Sequence, residues 1–250
     1  MKSIYNDLKD EVLRANLEIP KRGLAIYTWG NVSSVDRDRG VFAIKPSGVP
    51  YDELKLDDIV VLSLNGEVVE GKLSPSSDTP THRVLYNNFS DIGGICHTHS
   101  PYATSWAQSR LSIPIQGTTH ADHSPNPIPC TPFLSKQMVE NGYEENTGEI
   151  IVATFKDPSV SMLMPHEIEY PSITLDPNVD KMVLVAGHGP FTWGTDAHKS
   201  VYNAAVLEEI AKMAYIMMPL QNNIEMLPSY IIKKHYERKH GKNAYYGQNN

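Results

Sequence analysis

Hairpin-type turn signals crowd the middle of the chain while helical periodicity marks both ends, and this distribution limits the fold more than any other sequence feature. Near the start, Ile4, Leu8, Val12 and Ala15 recur at helical spacing, Ser3 suits an N-cap and Pro20 closes the segment, which predicts an amphipathic helix over residues 3–17. Short strands are expected at residues 24–28, 41–44 and 59–64, and Asn65-Gly66 before Val68 and Val69 is a strong hairpin signal. A loop over residues 74–82 delivers a helix that tolerates Pro80 in its first turn and runs to about Asn87. Ile92 opens an apolar strand ending in histidines, followed by a short helix over 102–108 and a proline-rich stretch over 113–132. Residues 150–154 and 182–186 read as buried strands, and helices over 196–218 and 229–240, the second with Gly241 as its C-cap, close the chain. Helices around a strand-rich middle argue for an α/β fold with one mixed, mostly antiparallel sheet covered by helices, not a doubly wound parallel one. Residues 156–180, with four prolines, read as an irregular insertion packed on the outside.

The chain has 250 residues, 40% of them apolar, enough for a sizeable core, and is expected to form one domain over residues 1–250. Lys and Arg total 22 against 29 Asp and Glu, a formal net charge of -7. Such a balance argues against a nucleic-acid partner, because little of it would displace counterions from a phosphate backbone. The polar opening lacks the apolar core of a secretory signal, and no apolar run approaches the roughly 20 residues of a membrane span. Two cysteines, Cys96 and Cys130, are too few for a disulfide framework and fit a reducing compartment. A cytoplasmic protein with no membrane partner is the expectation.

His97 and His99 stand two apart at the end of an apolar strand, so both project from one face, about 6–7 Å apart by the strand rise. Two imidazoles that close can converge on one ion, although a histidine at a strand end also serves as an ordinary hydrogen-bonding residue. Cys96 and Thr98 point the other way, which makes Cys96 a core residue. A second apolar strand ends in Gly187-His188-Gly189, where the glycines let backbone approach closely. Three histidines at two strand ends match the three-ligand pattern of metal sites that keep a position open for chemistry. Asp78, in a Ser-Ser-Asp loop at a helix start, is the best carboxylate to join them as ligand or base, with helix capping as its plain alternative. Ser76 and Ser77 before that helix, Lys45-Pro46-Ser47-Gly48, and Gly30-Asn31 are small loops with donors suited to an anion. Dinucleotide and phosphate-loop fingerprints are absent.

Taken jointly, a set of motifs is highly specific: Trp29-Gly30-Asn31-Val32-Ser33, Lys45-Pro46-Ser47-Gly48, Ser76-Ser77-Asp78-Thr79-Pro80-Thr81-His82, His97-Thr98-His99-Ser100, Gly117-Thr118-Thr119-His120-Ala121-Asp122, His188-Gly189-Pro190-Phe191, and the tail Lys239-His240-Gly241 with Ala244-Tyr245-Tyr246-Gly247-Gln248. On these motifs, which span nearly the whole chain apart from residues 156–180, the sequence resembles the class II aldolase family. Within it the chain looks like the L-ribulose-5-phosphate 4-epimerases. The resemblance implies a three-layer α/β/α fold and a ring-shaped homotetramer with active sites between neighbouring subunits. It implies one zinc ion per subunit held by His97, His99 and His188, with Asp78 at or beside it; cobalt or manganese suits such a donor set too. A sugar-phosphate substrate is implied, its phosphate at Asn31, Ser47, Gly48, Ser76 and Ser77, with Gly30, Lys45 and Arg238 nearby. Asp122 and Tyr246 are implied as acid/base groups delivered from the neighbouring subunit, and a place in arabinose catabolism follows from the same likeness.

Two departures bear on the exact substrate. His123 follows Asp122 where an aromatic Tyr is expected, and Ala186-Gly187 precedes the third histidine where the epimerases carry a bulkier polar stretch. The alternatives are a sister aldolase acting on fuculose or rhamnulose 1-phosphate, and a metal-free interaction module of the same fold. A zinc hydrolase is disfavoured, because no His-Glu-x-x-His helix is present.

Overall fold

The computed structural model describes residues 3–160, 164–165, 173–220 and 225–246. Within them the turn signals resolve into a seven-stranded sheet: β1 (Asn31–Asp36), β2 (Val41–Ile44), β3 (Val60–Ser63), β4 (Val68–Glu70), β5 (Gly94–His97), β6 (Met182–Val185) and β7 (Gly189–Gly194). Their order is β4-β3-β2-β1-β5-β7-β6, and each neighbouring pair of these strands is antiparallel. Eight α-helices accompany them among the described residues: α1 (Asn6–Lys21), α2 (Thr79–Asn88), α3 (Pro101–Ser109), α4 (Thr118–Ala121), α5 (Lys136–Glu140), α6 (Tyr143–Lys156), α7 (Ala197–Met217) and α8 (Ser229–His240).

The strand period of two sorts the apolar side chains onto opposite faces. Phe42, Ile44, Val60, Leu62, Ile95 and Phe191 pack with Val84 and Leu85 of α2 and Ile151 and Phe155 of α6. Their alternates Val41, Ala43 and Val61 meet Val12 of α1, and Val32 with Cys96 meets Ala15, Ile19 and Val201 of α1 and α7. Both faces of the sheet are therefore covered, which produces the expected three-layer α/β/α arrangement with Cys96 in the core. Burial of each large aliphatic side chain there is worth about 1.5–3 kcal/mol.

Several elements depart from the sequence-based expectation. Residues 150–154 lie inside α6, not in a strand. Their β-branched run reflects burial, since Ile150, Ile151, Val152 and Thr154 are all buried in a helix pressed between α2 and the sheet. Residues 24–28 form turn and loop, with Tyr27 at φ 54, and Leu24 and Ala25 pack against α1 without joining a ladder. The strand beside β5 is instead β1, whose Gly30-Asn31 opening reads as a turn. β7 begins with Gly189-Pro190, equally turn-like in sequence. Pro20 sits within α1, whose hydrogen bonding continues through Arg22 N–H to Glu18 O. Gly241 ends α8 in extended backbone, at φ -74. In the 156–180 region, Leu175 is buried in the core and Trp193 Nε1 donates to Pro177 O at 2.7 Å, so its last part is anchored. His166 lies outside the described residues.

Candidate metal centre and active-site cavity

β5 and β7 are neighbours with His97 opposite Phe191, so the residues just past the end of β5 meet those just before β7. This register brings His97, His99 and His188 together, with one nitrogen from each within 4.8 Å of the others. Their ring centroids form a nearly equilateral triangle with sides of 4.9, 4.8 and 5.0 Å. Close backbone approach is required: a Cβ at Gly189 would lie 2.8 Å from Thr98 O, which explains the glycine beside His188.

His97 Nδ1 is 2.9 Å from Pro190 O. A carbonyl only accepts, so the ring proton resides on Nδ1 and Nε2 offers a lone pair. That Nε2 lies 3.1 Å from His99 Nε2, a spacing that suits two nitrogens turned toward a shared cation. Burial holds all three imidazoles below the ordinary histidine range, His97 most deeply, with the nearby Asp78 charge opposing the shift. They are therefore neutral near pH 7, the form in which imidazole binds metal. The donor set fits an ion of the zinc type.

Asp78 is the N-cap residue of α2, yet its side chain makes no capping bond. Instead it accepts from Asn31 Nδ2 at 2.7 Å. Burial opposes its ionisation, but the pull of His97 and His82 and the Asn31 amide keep its carboxyl below the usual range. Asn31 also donates to Ser76 Oγ at 3.0 Å, which ties the start of β1 to the loop before α2.

A cavity of about 740 Å³ opens above this group and is lined by Gly30, Asn31, Lys45, Ser47, Gly48, Ser76, Ser77, Asp78, His97, His99 and His188. Lys45 is only 1% exposed, and its ammonium has a weak 3.4 Å bond to Pro46 O and the Tyr51 ring 4.9 Å away, with no carboxylate partner among the described residues. Burial lowers its pKa to about 8. A buried cation in one cavity with these serine hydroxyls and the N-terminus of α2 is an arrangement that could receive an anion.

Asp122, Tyr246 and Arg238 are gathered elsewhere on the chain. Asp122 follows α4 and accepts from Arg238 Nη2 at 2.7 Å and Nε at 3.0 Å, while its Oδ1 lies 2.9 Å from His235 Nδ1. Burial works against its charge, and the Arg238 and His235 bonds outweigh that to hold its carboxyl below the usual range. Tyr246 is exposed, with Arg238 and Lys239 at 5.2 and 4.5 Å from its ring centre. None of the three lines the 740 Å³ cavity of their own chain. His123 is held between Thr119 O and Tyr202 Oη at 2.8 and 2.9 Å.

Sequence reasoning missed Tyr143 and Glu144, which line the cavity from the start of α6. Reading residues 150–154 as a strand concealed that helix, and Asn141-Gly142 before Tyr143 was its one local signal. His82 was quoted only as part of a motif. It is fully buried behind Asp78, 2.7 Å from Ser33 Oγ, with burial lowering its pKa to about 4 against the pull of Asp78.

Comparisons with known proteins agree with this architecture. The solved structure of an L-fuculose 1-phosphate aldolase is similar over 95% of this chain and 97% of that one, with 24% identity and a TM-score of 0.73. YgbL from Klebsiella pneumoniae, described as a candidate aldolase/epimerase/decarboxylase, is similar over 93% and 99% of the two chains, with 21% identity and a TM-score of 0.68. A sugar-phosphate aldolase from Thermotoga maritima is similar over 91% and 100%, with 17% identity and a TM-score of 0.59. At these identities the likeness establishes the fold. Residues 10–215 match the family model of the class II aldolase and adducin N-terminal domain, and by that match over most of its length the chain belongs to the class II aldolase family.

Proposed function

We propose that the protein is a zinc-dependent sugar-phosphate 4-epimerase interconverting L-ribulose 5-phosphate and D-xylulose 5-phosphate. The observation that carries this reading is that one cavity joins three neutral, convergent imidazoles to a buried lysine that has no carboxylate partner among the described residues. A ligand with a carbonyl at one end and a phosphate at the other satisfies both halves.

The chemistry follows from the substrate. C4 is two carbons from the C2 carbonyl, so its hydrogen is not acidic and direct proton removal there is closed. Breaking the C3–C4 bond is open, because the electrons released pass into the C2 carbonyl. His97, His99 and His188, with Asp78 at or beside them, would hold a divalent ion, which would supply Lewis acidity worth several kcal/mol to the charge released by that cleavage. Lys45, with the Asn31, Ser47, Gly48, Ser76 and Ser77 loops, holds the phosphate while the aldehyde half turns over. Cleavage removes a proton from the C4 hydroxyl, and re-addition on the other face returns one, so one proton-handling group is needed on each side of the aldehyde plane. Asp122 and Tyr246 fill those roles. Their place outside their own chain's cavity supports delivery to a neighbouring copy, in the homotetramer that the family resemblance implies.

Incubation with L-ribulose 5-phosphate tests the proposal: D-xylulose 5-phosphate is expected to form, and a chelator to stop it. No conversion by the metal-loaded protein would overturn it. A second reading, a sugar-phosphate aldolase, is favoured by the likeness to L-fuculose 1-phosphate aldolase. Free aldehyde released into solution distinguishes the two, since an epimerase retains its fragment. Metal analysis that finds no ion would favour an interaction module of the same fold.

A further inference from the structure

We infer that Tyr143 is a positioning residue that fixes the ring of His188 for the metal centre. The inference rests on the reading of the three histidines as a metal site. An imidazole ligand gives one nitrogen to the ion, and the partner of the other nitrogen sets its tautomer and ring plane. Pro190 O does this for His97. His188 sits in the turn between β6 and β7, outside any regular element, and needs such a partner more. Tyr143 Oη lies 3.2 Å from His188 Nδ1, with the two rings only 25° from parallel.

Tyr143 is itself held from behind. It is the first residue of α6, and the next residue's carbonyl, Glu144 O, accepts from Thr81 Oγ1 of α2 at 2.5 Å. Further along, a Cβ at Gly148 would sit 2.6 Å from Val84 Cβ, so only glycine lets α6 lie this close to α2. The helix that presents Asp78 thus also sets the position of Tyr143.

The direction of the bond follows from counting hydrogens. With Nδ1 facing Tyr143, Nε2 is the nitrogen left for an ion, and it can bind only when unprotonated. The proton must then be on Nδ1, which donates to Tyr143 Oη. The phenol hydrogen remains available to an oxygen in the cavity.

The test is Tyr143→Phe, stripped of metal and titrated with Zn²⁺ and Co²⁺ against a chromogenic chelator. Affinity for both ions is expected to fall roughly 10–100-fold, the usual effect of removing an outer partner of a ligand. The visible spectrum of the Co²⁺ form should change, and Tyr143→Gln, which restores an acceptor, should recover part of the affinity. Metal-free thermal unfolding should match that of the wild type. Unchanged affinity and spectrum in Tyr143→Phe would overturn the inference while leaving the metal site intact. A wild type that binds neither ion would remove the metal centre itself, and the inference with it. Loss of metal-free stability in Tyr143→Phe with full recovery of affinity on refolding would make it a packing residue.

Discussion

Lys45 shows how a single residue can be kept against its own stability. Burial lowers its pKa to about 8, so the folded protein binds its proton less readily than the unfolded chain does. Below about pH 8 that buried charge works against the fold, and the strain eases as pH rises toward the ordinary lysine value. Lys45→Met is therefore expected to raise the denaturation midpoint of the substrate-free protein at neutral pH. The same change should raise KM for a phosphorylated substrate about 10–100-fold, the worth of a hydrogen bond to a charged group, with a smaller effect on kcat. A midpoint and KM both equal to wild type would remove Lys45 from the anion site. In the native enzyme, KM should climb above about pH 8 as the ammonium loses its proton.

Histidines buried away from the cavity act through the acid limb of stability. Burial lowers His120 to a pKa of about 4, against the opposing pull of the Asn126 and Pro114 carbonyls. Its folded value lies below the ordinary one of roughly 6.5, so stability is fully present above that pH and is lost as pH falls toward 4. Between those limits one such group contributes about 1.4 kcal/mol per pH unit. Denaturant titrations of His120→Gln from pH 7 to pH 4.5 should show a slope shallower by up to that amount. An identical slope would mean that His120 takes up its proton as readily in the fold as in the unfolded chain.

At the scale of elements, α6 is where pattern and structure part. Ile151 is fully buried between α2 and the sheet, and Ile151→Ala is expected to cost about 2–5 kcal/mol in chemical unfolding through the cavity left behind. A loss below 1 kcal/mol would show that α6 can shift to refill the gap. The misreading of residues 150–154 has a physical cause: a short β-branched run buried on most sides has neither the period of a strand nor that of an amphipathic helix. By contrast, β2, α2 and α8 were legible because turn or cap residues bound them on both sides. The histidine pair was legible as a pair, but only His97 lies on β5; His99 stands two residues past the strand end, so the loop there, not strand spacing, sets the 4.9 Å between the two rings.

At the scale of the whole molecule, two candidate clusters stand apart. Asp122, Arg238 and Tyr246 are joined to each other but not to the cavity of their own chain. If neighbouring copies complete each other's sites, His97→Asn and Tyr246→Phe chains should each be nearly inactive. Mixed and reassembled, they should regain activity, since some sites then combine an intact metal group with an intact tyrosine. No recovery on mixing, with hetero-oligomers confirmed by mass, would place the acid/base group within one chain. Among the described residues no helix is long and apolar enough to cross a membrane.

The amino-acid sequence by itself determined the chemistry on offer: three histidines at two strand ends, an aspartate ahead of a helix, small loops with hydroxyls and one lysine. These are local facts, set by residue type and by the short periods of strand and helix. Tertiary structure alone decided which of those groups share a volume. The antiparallel pairing of β5 with β7 brings together imidazoles about ninety positions apart, and the packing of α6 on α2 adds Tyr143. Such contacts depend on register and helix docking, which are settled by the burial of many side chains at once; glycines such as Gly148 and Gly189 permit the close approach without naming the partner.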